Sequence, residues 1–352
     1  MTAFGWGALS MPAWAQVLPS GAVVTAGSGA VSVNGNIMTV RQASQMLGLN
    51  WTSFNVGAGN TVNFAQPGAA STVVNRIVGS DPSRILGNIN ANGQVYLINP
   101  NGIVFGATAQ INVGSLLAST AKDVSIGDKR VLLNGQSGAS IVNQGNIKAA
   151  NGGFVVLSAQ QLVNSGHIQA NQGYVALTAG EKVSLQLDNG SLLSVNVDAP
   201  ALQALVDNQG LILADGGKVY LTAAGKDTLL STVVNNAGTI RARAIDQGAG
   251  GSVILLGNGG DTVSTGTIDV SGQSAGQKGG AVVIGGDRVA VYGNATIDAS
   301  GVSGGGRVVI GGDSLHKASD VANIGFANRT VVGESALIRI GSSKGDGGFV
   351  ET

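Results

Sequence analysis

Few side chains in this sequence could carry out chemistry, and none of them stands in a catalytic arrangement. The 352 residues include two histidines and no cysteine. His167 occupies a variable slot of a repeated phrase, and His316 lies beside Lys317. Neither has a Glu or His partner at metal-ligand spacing, so both read as incidental. The absence of Cys excludes disulfides, thiolate metal sites and thiol nucleophiles. The sequence has no Gly-x-Ser-x-Gly elbow, no Walker loop and no dinucleotide fingerprint in a strand-turn-helix setting. The aspartates leave one opening. Asp269 and Asp298 are 29 residues apart, and Asp287 and Asp313 are 26 apart. If a structural period brings each pair onto adjacent coils, stacked carboxylates could hold Ca²⁺ or act as acid and base. No repeated Ca²⁺ nonapeptide accompanies them, and Asp after Gly-Gly is an ordinary turn choice. The expectation is no catalytic residue, no metal and no cofactor.

The period itself is plain. The phrase Asn-x-Gly-x-Ile-x-Ala occurs as Asn143-Gln-Gly-Asn-Ile-Lys-Ala149, Asn164-Ser-Gly-His-Ile-Gln-Ala170, Asn208-Gln-Gly-Leu-Ile-Leu-Ala214 and Asn236-Ala-Gly-Thr-Ile-Arg-Ala242. Degenerate copies are Thr265-Gly-Thr-Ile-Asp-Val270 and Asn294-Ala-Thr-Ile-Asp-Ala299. A second phrase, Gly-Gly-x-Val-x-Leu/Ile, follows most of them, as in Gly152-Gly-Phe-Val-Val-Leu157, Gly216-Gly-Lys-Val-Tyr-Leu221 and Gly279-Gly-Ala-Val-Val-Ile284. The phrase Asn recurs after 21 residues (143 to 164) and after 28 (208 to 236), and the Ile after 28 (240 to 268) and 29 (268 to 297). Apolar residues two apart describe strands with one buried face, and Asn and Gly suit corners that need left-handed or tight-turn backbone angles. Ile147 and Ala149 should point inward, with Asn146 and Lys148 outward. A single unit cannot bury its apolar row, so units must stack.

These patterns predict an all-β fold, a right-handed parallel β-helix (β-solenoid) with an N-terminal cap. At about 4.8 Å per coil and roughly 20–28 residues per coil, the chain after residue 16 would make about 12–16 coils, a rod of about 60–75 Å. A β-propeller fits less well, since blades need ~40 residues and more aromatics. Residues 181–207 break the period, with a hairpin over 181–198. Val183, Leu185 and Leu187 alternate, Asp188-Asn189-Gly190 is a turn, and Leu192 to Val197 return, as in a hairpin protruding from the rod. Short helices are expected over 200–206, opened by Pro200, and over 226–234.

Composition agrees. Apolar residues make up 43% while aromatics are 4%, so the core material is aliphatic, and 57 glycines serve the turns. With 19 basic and 19 acidic side chains, no broad basic surface for nucleic acid is expected. At the start, Phe4 to Leu9 is apolar, and Ala13 and Ala15 satisfy the small-x-small rule of signal peptidase, with cleavage before Gln16. Residues 1–15 are therefore expected to be the remnant of a longer signal peptide.

The segment from Trp51 to Thr120 resembles the N-terminal secretion domain of two-partner-secretion exoproteins, the filamentous haemagglutinin family. The residues that carry the resemblance are Asn50-Trp-Thr-Ser-Phe-Asn-Val-Gly57, Asn60-Thr-Val-Asn-Phe-Ala-Gln-Pro67, Asn75-Arg-Ile-Val-Gly-Ser-Asp-Pro-Ser-Arg-Ile85, Asn92-Gly-Gln-Val-Tyr-Leu-Ile-Asn-Pro-Asn-Gly-Ile-Val-Phe-Gly106 and Ile111-Asn-Val-Gly-Ser-Leu-Leu-Ala-Ser119. The family pattern usually has two Asn-Pro-Asn motifs. Only Asn99-Pro100-Asn101 is present here, which is similar to the high-molecular-weight adhesin-like members.

The resemblance implies a secretion domain over 16–140 and a repeat stalk over 141–352 that ends inside a phrase, as a C-terminally truncated chain would. It implies export through the periplasm to the outside by an outer-membrane β-barrel transporter with periplasmic modules. It also implies an adhesin role toward host-cell or bacterial receptors or glycans, met by regions beyond this chain. The stalk of a toxin-delivery protein and a glycan-acting enzyme are the alternatives. Asn99, Pro100, Asn101, Gly102 and Ile103 are the candidate recognition motif, although the same residues could simply set a corner.

Overall fold

The computed structural model describes residues 17–127, 129–188, 190–226, 231–316 and 324–352, and they are organised entirely as strands, turns and loops. The repeat phrase Asn-x-Gly-x-Ile forms one sheet of 12 strands. Its isoleucines pair directly across parallel strands, Ile89 to Ile111, Ile147, Ile168, Ile212, Ile240, Ile268, Ile297 and Ile338 in turn. The Gly-Gly-x-Val-x-Leu phrase lies in a second sheet of 20 strands, where Val155, Val175, Val219, Val253, Val282 and Val308 form one column. Leu157, Leu177, Leu221, Leu255, Ile284 and Ile310 form the next column of that sheet. The two sheets face each other across a mostly aliphatic core running from Met38 to Ile310. This is the parallel β-helix the period predicts, and the core continues without a break across residue 140.

The first strand of the 12-stranded sheet, Gly29–Asn34, is antiparallel to Ile37–Gln42, which leaves eleven stacked coils among the described residues. That is fewer than the 12–16 expected, and at the usual rung spacing the rod is about 50 Å long. The shortfall comes from insertions. Successive phrase asparagines are 21 and then 44 residues apart along the chain. The N-terminal cap is built from antiparallel strands: Gly29–Asn34 closes one sheet, and Val23–Ala26 closes the other against Met46–Trp51. These strands cover the first edges of the parallel coils and are themselves the outermost strands, each paired on one side only among the described residues. Beneath the cap Trp51 is fully buried, edge-on to Phe54 at 5.4 Å, with its Nε1 donating to Asn75 Oδ1 at 3.0 Å.

The phrase Asn does different work from the corner role expected of it. Among the paired glycines, the first takes the left-handed angle expected at Gly152 and Gly216, with φ of 78° and 70°. None of the phrase asparagines has a positive φ. Asn143, Asn164, Asn208 and Asn236 point inward and are fully buried, and each Nδ2 donates to the Oδ1 of the next at 2.8 Å. Asn236 ends the row by donating to Ser264 Oγ at 3.3 Å. A buried amide is tolerated because its neighbour satisfies it. The second Gly of the other phrase is required by space. A Cβ at Gly173, Gly217, Gly251, Gly280 or Gly306 would overlap the carbonyl oxygen of the glycine one coil earlier.

Two further expectations are corrected. Residues 200–206 form no helix: Ala201–Leu202 and Leu205–Asn208 are strands, the latter paired with Gln161–Asn164 so that Val206 stacks on Leu162. Ladder pairing and the burial of Val206 outweigh the helix-opening preference of Pro200. In 226–234, Lys226 ends a strand and Thr232–Asn236 forms another, with Val233 and Val234 buried, while 227–230 lie outside the described residues. The 181–198 hairpin exists, as Lys182–Asp188 against Ser191–Ala199. It does not stand off the rod. With Ala121–Ile126 and Arg130–Gln136 it makes a four-stranded antiparallel sheet. Val131, Leu133, Val183, Leu185 and Leu192 of that sheet are buried against outward-facing Tyr96, Leu117, Phe154, Val156 and Ala176 of the rod.

Three substitutions test this core. Ile240→Asp buries a charge with no partner and should lower stability by at least about 4 kcal/mol. An unchanged thermal midpoint would remove Ile240 from the core. Gly217→Ala should cost about 1–3 kcal/mol through backbone overlap, whereas Gly152→Ala, whose Cβ would meet open space, should cost only the strain of its φ of 78°. Equal melting of Gly217→Ala and wild type would contradict the space argument.

Candidate functional site

The motif Asn99 to Ile103 sits where one strand of the long sheet, Gln94–Ile98, turns into the next, Ile103–Phe105. Pro100 fixes the first turn angle, and the Gly102 amide donates to the Asn99 carbonyl at 3.1 Å, closing a β-turn. Gly102 has a φ of 112°, which penalises any side chain at this position. Asn99 is the keystone of the turn. Its fully buried side chain donates to the Asp81 carbonyl and to Ser83 Oγ, both at 3.0 Å. Its Oδ1 accepts from the Asn101 amide at 2.9 Å. Asn101 Nδ2 reaches the Gly79 carbonyl at 2.9 Å, and Ser137 Oγ donates to the Pro100 carbonyl. Ile103 is buried between Ser83 and Ile141 on adjacent coils. The five residues therefore act together as one corner. Of their side chains, Asn101 is exposed and Pro100 half-exposed, so these two are the ones another molecule could touch.

The sequence-predicted carboxylate pairs do not form a catalytic site. Asp269 and Asp298 do stack on adjacent coils, as their spacing requires. Each is held, however. Asp269 Oδ1 accepts from the Ser271 amide at 3.0 Å and Ser271 Oγ at 2.7 Å, and its Oδ2 accepts from Arg243 Nε at 2.7 Å. Asp298 repeats the serine arrangement with Ser300 at 2.9 and 2.6 Å. Burial alone would raise the Asp269 carboxyl, but the bonds from Arg243 and Ser271 outweigh it and hold the group below the usual carboxylate range. It stays ionised near neutral pH and supplies no proton. For Asp287 and Asp313 the parallel ladder stops at Ile284 against Ile310, three residues short of the pair. His167 lies on the outer face between Asn146 and Leu211, where burial lowers its pKa and the Arg241 charge lowers it further. His316 has a φ of 51° in a loop. Among the described residues no group of three or more His, Asp or Glu is placed to hold a metal. Ala13, Ala15 and Gln16 lie outside the described residues.

The structure is a capped β-helix with a tight Asn-Pro-Asn-Gly corner and one covering antiparallel sheet, and comparison with known proteins gives its family. The family model for the TPS (two-partner secretion) secretion domain matches residues 15–263. The chain belongs to that family. The heme/hemopexin-binding protein of Haemophilus influenzae is 38% identical over 229 residues, 61% of this chain and 25% of that protein. The filamentous hemagglutinin of Bordetella pertussis is 25% identical over 228 residues, 62% of this chain and 6% of its own length. The HMW1 secretion domain of H. influenzae has the same structure, with a TM-score of 0.82 at 28% identity, covering 95% of this chain and 94% of that one. The chain spans about a quarter of the length of the heme/hemopexin-binding relatives it matches. A TPS secretion domain belongs to an exoprotein exported to the cell surface or extracellular space, and it implies an outer-membrane β-barrel transporter as second partner. The relatives are named for binding and haemagglutination, not for a reaction.

Sequence reasoning missed the Ala121–Gln136 hairpin and with it the covering sheet. The available signal was the alternation of Val131 and Leu133 in a stretch that lacks both repeat phrases. Asn99→Ala removes both donors of the keystone amide and the acceptor for Asn101. It should cost about 2–3 kcal/mol in thermal unfolding, and a loss below about 0.5 kcal/mol would show that Asn99 does not hold the corner.

Proposed function

We propose that this TPS secretion domain starts the export and outward folding of a surface adhesin. Residues 16–140 would be recognised in the periplasm by soluble modules of the barrel partner, and 141–352 would form the base of a stalk. Receptor or glycan contact would fall to regions outside this chain. The observation that carries the reading is the closed first edge followed by an unbroken column of coils. A chain emerging through a pore can lay each new coil on a finished template. At roughly 0.05–0.15 kcal/mol per residue of net stability, a coil of 21–28 residues adds roughly 1–4 kcal/mol of outward bias. That bias needs no ATP at the outer membrane. Parallel coils fold slowly because each strand meets its partner only after a full turn, which keeps the chain threadable during transit. A toxin-carrying stalk shares this mechanism and differs only in what lies beyond the coils.

The 38% identity with the heme/hemopexin-binding protein supports a second reading, in which the full-length protein captures heme or its carrier instead of a cell surface. Within the motif, Asn101 and Pro100 would meet the transporter, while Asn99, Gly102 and Ile103 would hold the turn.

Expression in a Gram-negative host with a complete signal peptide, with and without the cognate barrel, tests the export reading. Protein should reach the medium only when the barrel is present, and equal release without it would sink the reading. In the same assay Asn101→Lys should reduce release severalfold while the purified chain, having lost one exposed hydrogen bond to Gly79, still melts cooperatively within about 3 °C of wild type. Wild-type release would remove Asn101 from the contact.

A further inference from the structure

The four-stranded sheet on the flank of the rod has two edges, and they are built differently. One edge is Ala121–Ile126, which carries Lys122 and Asp123 and is further tied down where Arg76 donates to the Lys122 carbonyl. Charged residues on an edge strand are the usual guard against addition of another strand. The opposite edge, Ser191–Ala199, reads SLLSVNVDA. It has no Lys, Arg or Pro, and its one charge, Asp198, lies 3.7 Å from Arg130. Its bulges fall at Leu193, which is 51% exposed, and at Asp198, and between them Ser194 to Val197 keep regular register. Among the described residues its outer side pairs with no other strand, since its one partner is Lys182–Asp188 on the inner side. Unpaired backbone donors and acceptors on a strand of high β-propensity make a template for one more strand.

What lies beside this edge gives the template a floor and a wall. Ser194 to Val197 border a groove of about 450 Å³ whose floor is the outer face of the rod at Tyr220, Thr222, Ile254 and Leu256. The far wall includes Phe326, a residue 70% exposed, and the rim carries Asp287. Thr222 is 9% exposed, and its Oγ1 is buried without a hydrogen-bond partner among the described residues. A buried hydroxyl left unsatisfied is rare and calls for a partner.

We propose that the Ser191–Ala199 edge and this groove form a strand-addition site for an extended segment of another polypeptide, with apolar residues at alternate positions and a flanking Lys or Arg. The incoming backbone would pair with the free edge. Its inward side chains would pack on Leu256 and Phe326, a polar group would satisfy Thr222, and the cation would face Asp287. Strand addition takes its affinity from main-chain bonds and its selectivity from such alternate pockets. A second copy of this chain suits the site poorly, because it would bring the same edge with Asp198 to a rim that is already acidic. The site requires only the folded chain, so it stands or falls independently of the export reading.

The probe is a fluorescein-labelled nine-residue peptide alternating valine and threonine with lysine at both ends, titrated against the full 352-residue chain and followed by anisotropy. Saturable binding is expected, together with slowed amide exchange at residues 192–198 and loss of binding when the central valine is proline. Leu256→Glu should weaken binding at least tenfold, and Thr222→Val about two- to tenfold with unchanged melting. If Leu256→Glu proves unstable, Thr222→Val and the proline peptide carry the test. No saturable binding, equal binding of the proline peptide, or full binding by a stably folded Leu256→Glu would overturn the proposal. So would sedimentation showing a dimer whose residues 192–198 are already protected without peptide.

Discussion

Everything in this molecule depends on the hydrogen-bonded spacing between one coil and the next. Parallel strands about 4.8 Å apart leave no latitude in how backbones meet. The structure obeys that constraint with two glycine columns, one through Gly173, Gly217, Gly251, Gly280 and Gly306, and one through Gly166, Gly210, Gly238 and Gly266. At each of these positions a methyl group would enter the peptide of the coil before. The glycines of these two columns have ordinary φ values and are needed for clearance. Between the columns, branched aliphatic side chains stack on their own kind, so each coil offers the next the surface from which it was itself built.

Polar groups follow the same rule of like upon like. The buried asparagine row hands one amide bond from coil to coil at 2.8 Å, and it begins above Phe105 and ends on Ser264. At the surface Arg241 and Arg243 reach back one coil or forward one coil to Asp215 and Asp269. These partners lie about one coil apart in sequence, so each bond also checks register. Asn99 does comparable work at a single corner, where its amide gathers Asp81, Ser83 and Asn101 into one turn.

The parts of this architecture that repeat were legible in the sequence, and the parts that occur once were less so. The phrase isoleucines announced the fold because an isoleucine returning once per unit, in a strand with one apolar face, is buried only by stacking, and the structure stacks each on the next. Trp51 and the Asn99 motif pointed to the family through residues that the fold uses beneath the cap and at a tight corner. The stretch after Pro200 was misread, because local propensity spoke for helix while the decisive contact, Val206 on Leu162, comes from a coil 44 residues earlier. The phrase asparagines were assigned to turns for a similar reason. Only the three-dimensional column shows that their partners are one another. The covering sheet joins Arg130–Gln136 to Lys182–Asp188 across two intervening coils, a pairing that no local pattern encodes.

The same column position is revisited after 21, 28 or 44 residues, yet the asparagine row keeps its register. Chain length between rungs is therefore decoupled from the geometry of the rungs. Whole excursions such as Lys182–Ala199 can be added at a corner without disturbing the coils above or below. In evolutionary terms the rod behaves as a chassis and its corner insertions as interchangeable fittings. Lineages sharing this backbone can diverge in the surface they show to the outside while the interior stays under one unchanging steric rule.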